Sequence, residues 1–217
     1  MNIDEKDRPP AVWGEIIAAQ HKLFESPTIE AAGLYKRLVE TTKSNPPYHI
    51  QPLLQQLDEL KRQLNKPIAE LRILDHGCGG GNTITYLAAL GYNNLFGVDV
   101  GGPLLEVDRA LRMLTASSSP RVQIYDGSNL PFPDGTFDFI FSQQVIEHLE
   151  GSVIEAYVRE EQRVLLNGGR VYHQIPHRWT PWESHTKTWC VHYFPRAIRH
   201  RVYGMLGLDA DYIELML

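Results

Sequence analysis

Cysteine is scarce in this chain. Cys78 and Cys190 are the only two in 217 residues, too few for a disulfide framework and without the paired spacing of a zinc site. That usage points to a reducing, cytoplasmic setting and gives no reason to expect a metal. A basic excess is lacking too. The formal net charge is -5, which argues against a nucleic-acid partner, since such proteins carry a strong positive excess. No apolar run approaches the roughly 20 residues of a membrane span. The charged start, MNIDEKDRPP, has no apolar segment of the secretory kind. Internal repeats and low-complexity tracts are missing. What is present is ordinary: 43% hydrophobic and 22% charged residues, as in a globular chain with one sizeable core and room for an appended lobe.

The first 65 residues read as helices. Residues 11–24 and 29–43 have helical apolar spacing, with Ser26-Pro27 between them as a cap and an early helical proline. Asn45-Pro46-Pro47 breaks the pattern, and residues 50–65 resume it with Leu53, Leu57, Leu60 and Leu64. Residues 1–67 are therefore expected to form a helical cover whose plainest role is packing. After Pro67 the pattern changes. Short apolar runs at 71–75, 95–99, 122–125, 137–142 and 171–175 alternate with helical stretches at 83–90, from Pro103 to about Leu114, and at 152–166. Gly91 and Asn167-Gly168-Gly169 close two of those helices, and a further helix is expected from about Gln144. Strands alternating with helices predict a doubly wound α/β fold, a parallel sheet covered on both faces, over residues 68–176.

The stretch Ile73–Asn82, ILDHGCGGGN, sits where such a fold binds ligands: strand, glycine turn, helix start. Glycine loses more conformational freedom on folding than any other residue, so a cluster implies a ligand that must touch the backbone. A nicotinamide site would read G-x-G-x-x-G, but position 82 is Asn. No Lys-Ser/Thr follows, as a phosphate P-loop would require. The pattern is D-x-G-x-G-x-G, on Asp75, Gly77, Gly79 and Gly81. With it, the chain resembles the class I S-adenosylmethionine-dependent methyltransferases of the small-molecule branch. The resemblance covers about residues 71–176. It rests on ILDHGCGGG, FGVDV (Phe96–Val100), YDGSNLPFPDGTFDFIFSQQVIEHL (Tyr125–Leu149) and VLLNGGRVYHQIP (Val164–Pro176), in that order.

The resemblance implies a Rossmann-like, mainly parallel sheet, the cofactor S-adenosyl-L-methionine, and methyl transfer to a small-molecule, sugar or lipid-linked acceptor. It also implies site residues. Gly77, Gly79 and Gly81 would let the backbone approach the methionine part, and Asp75 would orient its ammonium. Asp99 would accept both ribose hydroxyls; a strand-end cap is its alternative. Asp126 would accept from the adenine amino group with Gly127 close by, an Asx turn being the alternative. Val100 and Leu130 would sandwich the adenine, and the Gln143 backbone would touch the methionine end.

Proton removal from the acceptor calls for a base near neutrality, which suits histidine. His148 follows Glu147 near the expected methyl position and is the candidate base, against a structural cap. His173 and His177 flank the same rim. Residues 177–202 hold Trp179, Trp182, Trp189, His185, His192 and His200, then a helix with Arg196, Arg199 and Arg201. The plain reading of 177–217 is a packed segment with a solvated basic face. The sharper one is an amphiphilic or anionic acceptor, or peripheral contact with a membrane surface. A catalytically silent member, binding the cofactor as scaffold or sensor, is the alternative function; a nicotinamide oxidoreductase is disfavoured by the glycine spacing. Only 41 residues follow Pro176 (217 minus 176). The expectation is five parallel strands in the order 3-2-1-4-5, without the family's C-terminal antiparallel hairpin, and a bare sheet edge prone to self-association.

Overall fold

Apolar residues at three- and four-residue spacing make the first elements helices: α1 (Val12–Glu25), α2 (Ile29–Thr41) and α3 (Gln51–Leu64). They bury Leu23, Val39, Leu53, Leu57 and Leu60. Thr28, not Ser26, caps α2. Its hydroxyl accepts from Ala31 N at 3.1 Å, so Pro27 stands before the helix instead of inside it. The computed structural model describes residues 12–175, 182–183, 188–189, 191 and 194–208.

Next come β1 (Arg72–His76), α4 (Asn82–Ala89), β2 (Asn94–Asp99), α5 (Leu104–Thr115) and β3 (Val122–Ile124), then β4 (Phe137–Gln143), α6 (Gly151–Val164) and β5 (Leu165–Gln174). The five strands form one all-parallel sheet in the expected order, β3-β2-β1-β4-β5. Side chains alternate across a strand. Ile73, Leu95 and Phe139 therefore share one face, and Leu74, Val98 and Ile140 the other. A single continuous core joins the first face to α1 through α5. The second face packs on Val164 of α6 and on Leu130. Buried polar pairs fix the cover in place. Gln20 Nε2 donates to Thr85 Oγ1 at 2.8 Å, the Thr42 and Tyr86 hydroxyls are 2.9 Å apart, and Lys66 Nζ lies 2.6 Å from Asp138 Oδ1.

Two elements differ from expectation, one past the carboxyl end of β4 and one at the amino end of β5. The helix expected from Gln144 is a 3₁₀ turn, Ile146–His148, because Gln144 takes φ 57°, a left-handed conformation that no helix continues. Asn167-Gly168-Gly169 does not separate α6 from the strand. β5 starts at Leu165 and absorbs these residues as an irregularity opposite Phe137–Phe139. On β4, Phe137 packs on Phe96 and Phe132, while Phe139 packs near Phe141.

Beyond β5, β6 (Trp182–Glu183) and β7 (Thr188–Trp189) pair antiparallel in a two-stranded sheet of their own. The expectation of no antiparallel pair after Pro176 is corrected in that detail; the five main strands stand. α7 (Arg196–Met205) carries the three arginines and buries Tyr203. His177, Trp179, His185 and His192 lie outside the described residues. Among the described residues, no helix is long and apolar enough to cross a membrane.

Candidate functional site

A cleft of about 730 Å³ opens at the carboxyl ends of β1 and β2, within the usual size of a small-molecule site. β1 ends in Asp75 and His76, whose side chains leave opposite faces. Asp75 is 4% exposed and lines the cleft. Burial and the neighbouring Asp99 carboxylate hold its carboxyl well above the usual range. The turn after β1 brings Gly77, Cys78, Gly79 and Gly80 to the wall. Gly79, at φ 47°, has nothing within 4 Å of where a Cβ would stand, so bare backbone meets open space. Its N–H donates to Asp99 Oδ2 at 2.8 Å, and Gly101 N–H donates to Oδ1 at 3.2 Å. Asp99 is thereby aimed in advance, with lone pairs left over for a ligand.

Of the residues predicted from sequence, Asp75, Gly77, Gly79, Asp99, Val100, Gln143 and His148 share this cleft. Gly81, Asp126, Gly127 and Leu130 do not line it. Gly81 serves packing. At φ 72°, a Cβ there would lie 2.3 Å from Val107 Cγ1, so its absence lets α4 start against α5. Asp126 is exposed, and its Oδ1 accepts from Asn129 N at 2.9 Å and Ser128 N at 2.8 Å, the Asx-turn alternative. Those bonds hold its carboxyl below the usual range. Gly127 stands beside the wall, its Cβ position 3.3 Å from Val100 Cγ1. Leu130 is not opposite Val100. It is buried with Phe137 and Val164 in the α6 layer, so the proposed sandwich loses that half.

Sequence reasoning missed Tyr48, His49, Thr83, Tyr125, Tyr157 and Gln174, which also line the cleft. Tyr48 and His49 come from the loop between α2 and α3, so the cover forms part of the wall. The signal was the sequence NPPYHI, a chain break carrying a ring and an imidazole. Burial lowers the basicity of His49. Gln143 contributes its side chain and not merely its backbone: Nε2 donates to Gln174 Oε1 at 2.7 Å and His49 O at 3.2 Å, and Oε1 accepts from Thr83.

Behind the wall lies a buried polar array. His76 and Glu161 side chains are each 1% exposed, with Nδ1 2.9 Å from Oε1. His76 Nε2 is 3.0 Å from the Tyr125 hydroxyl, and its ring stacks on Tyr157 at 3.7 Å. The Tyr157 hydroxyl donates to His76 O at 2.9 Å. Glu161 Oε2 faces His173 Nε2 at 3.2 Å, and His173 Nδ1 is 2.8 Å from Ser142 Oγ. His173 is therefore turned into this array and away from the cleft rim where sequence reasoning placed it.

Residues 74–173 match the family model for the methyltransferase domain. That matched stretch is a methyltransferase domain of the class I S-adenosylmethionine-dependent kind. The methyltransferase domain begins within β1 and ends within β5, taking in the glycine turn, Asp99 and His148 and leaving α1 through α3 outside. The chain is similar to an uncharacterized methyltransferase, YcgJ, of Bacillus subtilis: 36% identical over 103 residues, 47% of this chain and 39% of the relative. It is also similar to ajmaline N-methyltransferase of Rauvolfia serpentina, 29% identical over 100 residues, 46% of this chain and 34% of the relative. A probable tRNA methyltransferase 9B of Mus musculus is 32% identical over 146 residues, 65% of this chain and 30% of the relative. The crystal structure of YcgJ aligns with a TM-score of 0.41 and 30% identity, covering 52% of this chain and 47% of that one. The chain spans less than half the length of each of these relatives. The cofactor of the methyltransferase domain is S-adenosyl-L-methionine.

Proposed function

We propose that this chain transfers a methyl group to a small-molecule acceptor, sugar and lipid-linked molecules included. The observation that carries the reading is the pairing of bare glycine backbone with Asp99, which both neighbouring N–H groups aim into the cleft. Asp99 takes the ribose hydroxyls of the cofactor, Asp75 its ammonium, the Gly77 and Gly79 backbone its methionine part, and Val100 one face of the adenine. Gln143, braced by Thr83 and Gln174, bounds the methionine end. Asp126 and Gly127, one and two residues beyond the lining Tyr125, would edge the adenine. The bound cofactor supplies a methyl group made electrophilic by its sulfonium.

The protein aligns the acceptor and removes its proton. His148, on the 3₁₀ turn at the cleft, accepts that proton. His49 is a second imidazole on the same cleft, and burial favours its neutral form. The formal net charge of -5 supports a small molecule over a nucleic acid as acceptor. Label from methyl-labelled S-adenosylmethionine should pass into an acceptor from a cell extract, and His148→Ala should stop it. Cofactor binding without transfer to any acceptor would favour the silent scaffold instead.

A further inference from the structure

The array behind the cleft wall fixes where protons point. Burial pushes the Glu161 carboxyl up, but contacts with His173 and His76 outweigh that and hold it below the usual value, which favours the carboxylate. An ionised carboxylate only accepts, and leaving it unpaired in the interior costs several kcal/mol. His76 Nδ1 must therefore carry the proton that meets Oε1. That tautomer leaves His76 Nε2 bare, so among the described residues the donor that meets it is the Tyr125 hydroxyl, 3.0 Å away. The proton of Tyr157 is committed in the same direction, to the His76 carbonyl. Both tyrosines line the cleft, yet neither hydroxyl proton faces it.

We propose that the His76–Glu161 pair is a positioning device that makes Tyr125 a hydrogen-bond acceptor toward the cofactor, alongside Asp99. The inference rests on the cofactor site proposed above. Tyr125 and Asp99 together favour ligand groups that bring donors, namely hydroxyls and amines. Protonating His76 reverses the arrangement. Nε2–H then donates to Tyr125, whose own proton turns toward the cleft and meets the ligand's donors head on. The titratable groups around His76 are Asp75 on its own strand, Tyr157, Glu160 and Glu161 on α6, Tyr125 with Asp99 and Asp126 beside it, and His173 on β5.

Calorimetric titration with S-adenosylhomocysteine tests this on the whole chain, at about pH 8 and at about pH 5. Tyr125→Phe should bind about three- to tenfold more weakly at the upper pH. It should also lose the part of the acid-side weakening that wild type shows. His76→Phe keeps a ring on Tyr157 but no nitrogen, and the double variant should bind no more weakly than Tyr125→Phe alone. If His76→Phe does not fold, the two pH profiles of wild type and Tyr125→Phe decide. Equal affinity of Tyr125→Phe and wild type, or parallel pH profiles, overturns the inference alone. A wild type that binds no S-adenosylhomocysteine overturns the cofactor reading with it.

Discussion

Asp99 has two partners in the backbone and one expected in the ligand, so its removal should be felt twice. Asp99→Ala gives up hydrogen bonds to a charged acceptor, each worth about 1.5–3 kcal/mol, and frees the Gly79 and Gly101 N–H groups. Calorimetry should show cofactor affinity falling by at least about tenfold with the fold retained; near-normal affinity would count against the ribose assignment. His148→Ala should cut turnover by about 10²–10⁴-fold and spare cofactor affinity. A loss under about threefold would return His148 to a structural part. Asp75 works against the fold. Its raised carboxyl value means the folded chain holds that proton more tightly than the unfolded one. Stability therefore falls as pH rises from the ordinary carboxylate value to the raised one. Glu161, held low, has the opposite sign: its contribution is present above the ordinary value and fades as pH falls through the lowered one. Asp75→Asn should therefore stabilise the ligand-free protein by about 0.5–2 kcal/mol near neutrality and weaken the cofactor. Urea melts across pH would show its part of the slope gone; an unchanged slope would refute it. Chemistry held in contiguous sequence was legible here: Asp75, Gly77 and Gly79 on one turn, and an acid ending the next strand. The partnership of His76 with Glu161, 85 positions apart, depends on which face of β1 meets α6, which no local pattern displays.

Elements were legible where apolar periodicity is long, and less so where one backbone angle decides. The three cover helices followed from pattern and the strand order from the family resemblance, but the 3₁₀ turn at Ile146–His148 hangs on Gln144 alone. Leu130 looked like a cleft residue because its loop is one; register places it in the α6 layer. Gly81 looked like its neighbours in the glycine run, yet it meets α5 and not the cleft. Gly81→Ala forces both a positive φ and a clash with Val107. It should cost about 1–3 kcal/mol, and Val107→Ala in the same chain should recover part of that. Denaturant titration would settle it; an unaltered midpoint for Gly81→Ala would show that the α4–α5 contact is looser than described.

On the scale of the molecule, the cover and the methyltransferase domain are one unit. Their apolar residues form a single cluster, and Gln20–Thr85, Thr42–Tyr86 and Lys66–Asp138 cross between them. The sequence boundary near residue 67 marks a change of pattern, not a break in the core. Scanning calorimetry should give one transition whose van't Hoff and calorimetric enthalpies agree. Two separated transitions would show that α1 through α3 fold apart from the sheet. The same arrangement brings Tyr48 and His49 to the cleft, so the cover shapes the cleft as well as the core.

The most direct test of the cofactor assignment is a thermal melt with S-adenosylmethionine or S-adenosylhomocysteine at about 100 times its dissociation constant, and with a nicotinamide dinucleotide at the same concentration. Either adenosyl ligand should add about 2.7 kcal/mol, a rise of roughly 5–10 °C for a chain of this size, while the dinucleotide leaves the midpoint in place. A midpoint that moves with the dinucleotide and with neither adenosyl ligand would contradict the assignment of this cleft.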